Sequence, residues 1–379
     1  MKTYLVNFDY PIVLASLIVW LAGTIVLSCV IRKELAALIM FLKITLFISY
    51  FCFFADGTWF YGGDDWGYFE RGLQMAQAEP NIFRIWTHPE GFYLRHGHSL
   101  ALVYFYNYVS ILLFGEYYFA PVLLNIFLTS IIVTLLTASL KTSDISALYV
   151  KYFVIYASLH WSTLVWSSFL NLKGMLVTTL MALMIWGISI SSRKSITAII
   201  AVTLSAYLML RSRFYFPAIV GIGVVVGYVN QLHAIIQKNR QRSFAIACAV
   251  VALVLWKASL LTLFFRHADF SGAVYGALHF VLQPAPWKIT EPASYLLLPS
   301  ILHWVMLPAT IAGCVLLWRS GGTKRIMVGI IVAGVLFYGL VPAIASTRHR
   351  IPFDILFIIA QFQFLWTYTL QAFGRVEKR

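Results

Sequence analysis

Residues 61–68, YGGDDWGY, hold the clearest chemistry in this sequence. Asp64 and Asp65 stand side by side, flanked by Trp59, Phe60, Tyr61, Trp66, Tyr68 and Phe69. Like charges this close resist joint ionisation, so one carboxyl is expected to titrate high unless a cation or metal compensates. Such a pair is a candidate general base with a helper; a solvated loop carrying two acids is the plain alternative. Gly62 and Gly63 let the backbone turn just before the acids.

A second group lies near the end of the chain. Residues 346–352 read STRHRIP, with Arg348, His349 and Arg350 in succession ahead of Pro352. Guanidinium holds phosphate oxygens bidentately and stays charged. Pro352 suits the first turn of a following helix, whose positive end would also favour an anion. Binding of lipid headgroups is the alternative reading. Arg211 and Arg213 sit at a break between two apolar runs and either snorkel to headgroups or hold a phosphate. Imidazole and carboxylate also gather at His88, Glu90, His96 and His98. A candidate metal set is Asp65, His88 and His98, with Mg²⁺ or Mn²⁺ as the ion; hydrogen-bonding loop histidines are the alternative.

These residues need elements to position them, and composition names the class. The chain has 379 residues, 61% hydrophobic and only 11% charged. Apolar runs of about 17–22 residues recur, the length of a helix crossing a bilayer core. The expected fold is an all-α polytopic membrane protein of about 11 transmembrane helices, a single domain over residues 1–379. Spans are expected near 11–30, 37–55, 119–140, 147–166, 174–190, 195–210, 214–229, 244–265, 301–319, 326–343 and 354–373. Cys29, Cys52, Cys248 and Cys314 fall inside these runs without metal spacing and read as packing residues.

The net charge of +14 is distributed as in a membrane protein and gives no sign of a nucleic-acid partner. One set of loops collects Arg32, Lys33, Lys141, Arg193, Lys194, Lys324, Arg325 and the basic segment 238–242, with few acids among them. The positive-inside pattern makes that side cytoplasmic. The N-terminus is then outside, the C-terminus cytoplasmic, and Asp64 and Asp65 face outward. The short apolar run 100–114 is read as lying along or dipping into the outer face, which closes this bookkeeping; a short true span is the alternative. Residues 56–118 form a first outer loop with juxtamembrane helices, and residues 266–300 a second, which could cover a site or shape an acceptor cleft. Asn171 and Lys173 lie on the outer turn between them, and Lys257 lies within a span.

The motifs resemble those of the GT-C superfamily of integral-membrane glycosyltransferases. The chain is most similar to the bacterial branch of polyprenyl-phosphate-sugar transferases, such as the lipid A aminoarabinose transferase and mannosyltransferases. Asp64, Asp65 and Tyr68, then Met75-Ala76, match its acidic opening of the first outer loop. Leu210-Arg211 resembles its arginine at a helix break, and Arg348, His349, Arg350 and Pro352 match its C-terminal motif. The resemblance implies a polyprenyl-phosphate sugar donor, a glycan or lipid acceptor, and transfer on the outer face with inversion. By the same resemblance Asp64 is the general base and Asp65 orients the acceptor or a cation. Arg348 and Arg350, with Arg211, stabilise the leaving phosphate, and Tyr68 and Trp66 position a sugar face. A lipid-linked glycan polymerase or ligase, or a flippase for lipid-linked sugars, is the alternative. The location implied is the bacterial inner membrane, with the site toward the periplasm.

Overall fold

A computed structural model describes residues 10–53, 64–95, 100–141, 145–191, 195–238, 268–290, 294–342 and 347–370. Among them every regular element is helical and none is a strand. In order they are α1 (Tyr10–Ser28), α2 (Lys33–Phe53), α3 (Asp64–Ala78), α4 (Phe92–Arg95), α5 (Ala101–Phe114), α6 (Phe119–Leu140), α7 (Ala147–Leu159) and α8 (Trp161–Ser168). Then come α9 (Gly174–Ile190), α10 (Ser195–Leu210), α11 (Phe216–Lys238), α12 (Ala273–Leu282), α13 (Leu297–Ser320), α14 (Gly322–Leu340) and α15 (Thr347–Leu365).

Six stretches are long and apolar enough to cross a bilayer: Pro11–Ser28, Lys33–Phe53, Phe119–Leu140, Ser294–Ser320, Gly322–Leu340 and Arg348–Thr369. At about 1.5 Å of rise per residue, roughly 20 residues match a hydrocarbon core of ~30 Å. The chain is a helical membrane protein. Expected spans 174–190 and 195–210 are present as α9 and α10, of 17 and 16 residues. The expected span 244–265 lies outside the described residues, as does Lys257. The expected span 147–166 is not one helix. It breaks at His160, whose ψ of 137° is extended and whose ring Nδ1 accepts the Ser162 N–H at 3.2 Å. The cap satisfies a donor at the start of α8, which hydropathy alone does not reveal.

The described chain folds into two compact units. The first comprises Met1–Ile190, Lys194–Arg213 and Ile289–Pro299. Its axis is α6, the most buried of the six crossing stretches, which packs against α1, α2, α5, α7, α8 and α9. Buried hydroxyls on α6 turn back to their own helix: Thr137 donates to the Val133 carbonyl at 2.6 Å and Ser139 to Leu135 at 2.8 Å. Lys43 on α2, only 1% exposed, donates to the Thr129 hydroxyl of α6.

Helix α3 is amphipathic. Asp65, Tyr68, Phe69, Gly72, Leu73, Met75 and Ala76 are buried, at the spacing of one helix face, while Glu70, Gln74 and Gln77 are exposed. Its acids occupy the first turn, where the helix dipole favours negative charge. The buried face lies on α5, a 14-residue helix too short to cross upright. Gly115 closes α5 at φ +93°, a conformation that favours glycine.

The second unit comprises Ser191–Arg193, Phe214–Lys288 and Ser300–Arg379. There α11 and α14 approach backbone to backbone through Gly223 and Gly227. A Cβ on Gly227 would stand 2.7 Å from the Ile326 Cα. This is the small-xxx-small spacing by which apolar helices pack in lipid. Gly276 and Gly339 bring α12 equally close to α14. Helix α15 starts at Thr347, so Pro352 lies inside the helix and not in its first turn, as the sequence suggests. Arg348, His349 and Arg350 are thus helical themselves.

Gly72 is the tightest point between α3 and α5. A Cβ there would stand 2.6 Å from the Asn107 Cβ and 2.8 Å from the Tyr108 nitrogen. Gly72→Leu should cost about 1–3 kcal/mol or displace α3. Gly67→Ala, with nothing within 4 Å of its Cβ, should leave stability unchanged or raise it. Thermal unfolding of the two variants in detergent checks the pair.

Candidate functional site

The two acids that open α3 part company. Asp64 is exposed, whereas Asp65 turns inward and keeps 7% of its surface. Asp65 Oδ2 accepts a 2.7 Å bond from the hydroxyl of Tyr118, a buried residue just ahead of α6. The same hydroxyl accepts the Asn171 backbone N–H at 3.3 Å. Asn171 Nδ2 donates to the Asp65 carbonyl at 3.1 Å and to Asn107 Oδ1 at 2.7 Å. Asn107 Nδ2 in turn donates to the Val103 carbonyl of α5 at 2.9 Å. This chain of bonds ties together α3, α5, the start of α6 and the turn before α9.

Burial pushes the Asp65 carboxyl above the usual carboxylate range. The Tyr118 bond and local backbone N–H groups pull it back, and the Asp64 charge adds a smaller upward push. Burial, then the Asp65 charge, pushes the Tyr118 hydroxyl well above the usual tyrosine range, so it remains a donor. Trp66 lies parallel to the Tyr118 ring at 6.1 Å and Phe69 meets that ring edge-on at 5.8 Å. Tyr68 is buried, with its hydroxyl 3.5 Å from Asp64 Oδ2. Over the Tyr68 ring, 5.5 Å from its centroid, stands Lys173 Nζ. Tyr295, from the end of the second long loop but within this unit, meets Phe169 edge-on at 6.4 Å and lies within reach of the Asp65 charge.

Arg211 belongs to the same unit. Its carbonyl accepts the Leu102 N–H at 3.1 Å, setting it against the start of α5. Its guanidinium donates to the Tyr207 hydroxyl at 3.0 Å and lies 5.2 Å from that ring's centroid. His88 spends Nδ1 on the Glu90 N–H at 3.2 Å, capping the 3-10 turn Pro89–Gly91. Glu90 pairs with Arg71 at 2.9 Å. Among the described residues no three His, Cys, Asp or Glu side chains gather to hold a metal, and His96 and His98 lie outside them. Of the candidate set only Asp65 and His88 lie among the described residues.

In the second unit Arg348 is exposed, and the His349 ring lies 5.8 Å from that of Tyr338. Arg350 is 2% exposed and engaged inside. Its Nε donates to Asp354 Oδ1 at 2.8 Å, and its Nη1 to the Val281 carbonyl at 3.3 Å while lying 3.0 Å from His303 Nε2. These bonds tie α15 to the end of α12 and to α13. Sequence reasoning offers Arg350 to a phosphate; its Nε and Nη1 are bonded to Asp354 and Val281. The signal was present: Arg350 and Asp354 are four apart at the start of a long, largely apolar helix. Asn107, in the apolar run 100–114, and Asn171 carried a similar signal. Tyr118 carried none, because tyrosine is common at membrane boundaries.

Two expectations test these assignments. Because the folded Asp65 carboxyl sits above its unfolded value, its contribution to stability is complete at acid pH. That contribution is lost as pH rises through the folded value. Asp65→Asn keeps an acceptor for Tyr118 without the charge, so it should raise Tm at neutral pH and lose that advantage below about pH 4. In the second unit, Arg350→Ala removes the guanidinium paired with the buried Asp354 and should cost about 3–5 kcal/mol in unfolding measurements. Against this geometry no protein-family model, curated protein or solved structure matches the chain.

Proposed function

We propose that the chain is a membrane glycosyltransferase, moving a sugar from a polyprenyl-phosphate-linked donor to a glycan or lipid acceptor. The observation that carries this reading is the division within the acid pair. Asp65 is buried and bonded to Tyr118, while Asp64 stands exposed on the same helix turn, outside the crossing stretches. An exposed carboxylate on a turn anchored by its neighbour, beside aromatic faces, suits a base that takes a proton from an acceptor hydroxyl. As that oxygen bonds to the anomeric carbon, the bond from that carbon to the phosphate oxygen breaks. The proton goes to Asp64 and the electron pair leaves on the polyprenyl phosphate. Direct displacement inverts the centre.

Trp66 and Tyr68 supply ring faces for a sugar. Asp65 acts by fixing the turn that presents Asp64, more than by touching the acceptor. Arg211 is a cation of the same unit available to an anionic donor. In the second unit, Arg348, His349 and Arg350 remain candidates for phosphate, Arg350 with its Nε paired to Asp354. The reading keeps a GT-C-like bundle of about 11 crossings, one domain over residues 1–379. It keeps the basic loops cytoplasmic, the N-terminus and Asp64 outside, and a bacterial inner membrane as the location.

Lipid-reconstituted protein offered a panel of polyprenyl-phosphate sugars tests the reading. Transfer by Asp64→Asn should fall by about 10²-fold or more while donor binding persists. Undiminished transfer would remove Asp64 from the chemistry. Donor lipid crossing the bilayer without transfer would replace the enzyme with a flippase.

A further inference from the structure

Lys173 is the residue of this site that the acidic motif does not announce. It is held firmly. Two residues before it, Asn171 is 1% exposed and bonded to Tyr118, to the Asp65 carbonyl and to Asn107. Just after it α9 begins, with the Lys173 carbonyl accepting the Val177 N–H at 3.0 Å. The turn is therefore clamped at both ends. The ammonium stands over the face of Tyr68, and the hydroxyl edge of that ring lies 3.5 Å from Asp64. Tyr68 thus brings the cation and the exposed carboxylate into one neighbourhood. Ammonium and carboxylate flank a single aromatic ring.

Resting on the glycosyl-transfer reading, we propose that Lys173 binds the phosphate of the lipid-linked donor and of the polyprenyl phosphate that leaves. A donor phosphodiester carries one negative charge. When its bond to the anomeric carbon breaks, the leaving phosphate monoester takes the electron pair and carries about −1.5 to −2 at neutral pH. An ammonium already beside the site meets that growing charge. Asp64 takes the acceptor proton while Lys173 meets the charge on the phosphate that leaves.

The test uses the full-length protein in lipid nanodiscs and compares a long-chain polyprenyl phosphate with the uncharged polyprenol of the same length. Wild type should prefer the phosphate. Lys173→Ala should lose about tenfold or more of phosphate affinity, leave polyprenol affinity unchanged, and be rescued by Lys173→Arg. Because the two ligands are compared within one variant, a folding defect would lower both and be visible as such. Phosphate preference that survives Lys173→Ala, or an equal loss for phosphate and polyprenol in a folded variant, would overturn the assignment to Lys173. The same fall with phosphatidylglycerol would assign Lys173 to general headgroup binding and overturn it too. Wild type without any phosphate preference would overturn the lipid-phosphate donor itself, a separate failure from that of Lys173.

Discussion

A desolvated carboxylate organises the first unit. Burying Asp65 would be costly without partners, because a buried charge loses water that the interior must replace. The replacement comes from Tyr118 directly, while Asn171 and Asn107 hold Tyr118 and the α3 backbone in register. Three other segments, α5, the start of α6 and the turn before α9, are thereby fixed to the first turn of α3. Asp64 and Lys173 are carried by that frame, one on the same turn as Asp65 and the other two residues beyond Asn171. Their positions are consequences of the Asp65 burial as much as of their own contacts.

Elsewhere the membrane sets the terms. Backbone groups inside hydrocarbon must be paired within the protein, so helices dominate and hydroxyls fold back onto their own carbonyls. Charged groups receive different treatment. Lys43 is answered by a single hydroxyl, that of Thr129, and couples α2 to α6. Arg350 is answered by a carboxylate, a carbonyl and an imidazole, and couples three helices. Where no polar partner is offered, small residues do the joining, as at Gly223 and Gly227.

Much of this was legible in the residues. Long apolar runs mark helices because a bilayer core demands a fixed length, and the boundaries at 119–140 and 174–190 follow directly. The acid pair was visible because adjacent carboxylates near a membrane edge are costly. Its inner division was not visible: helix periodicity puts Asp65, Phe69 and Gly72 on one face, but only packing on α5 and Tyr118 buries it. The His160 break was hidden because the runs on either side are equally apolar and the cap is one ring nitrogen. Pro352 was misread because proline is tolerated inside a helix when tertiary partners hold the turn around it, as Asp354 and Val281 hold Arg350.

The sequence by itself determined the helical membrane class, several of the long apolar helices and the identity of the acids, since length, hydropathy and charge are local properties of the chain. Tertiary structure decided which carboxylate is exposed, which arginine is paired inside and which lysine stands beside Tyr68. Those outcomes depend on desolvation and on hydrogen bonds between residues separated by 53 and 106 positions, as for Asp65 with Tyr118 and with Asn171. No pattern within a single run can encode such distances. They exist only once α3, α5, α6 and the turn before α9 have met.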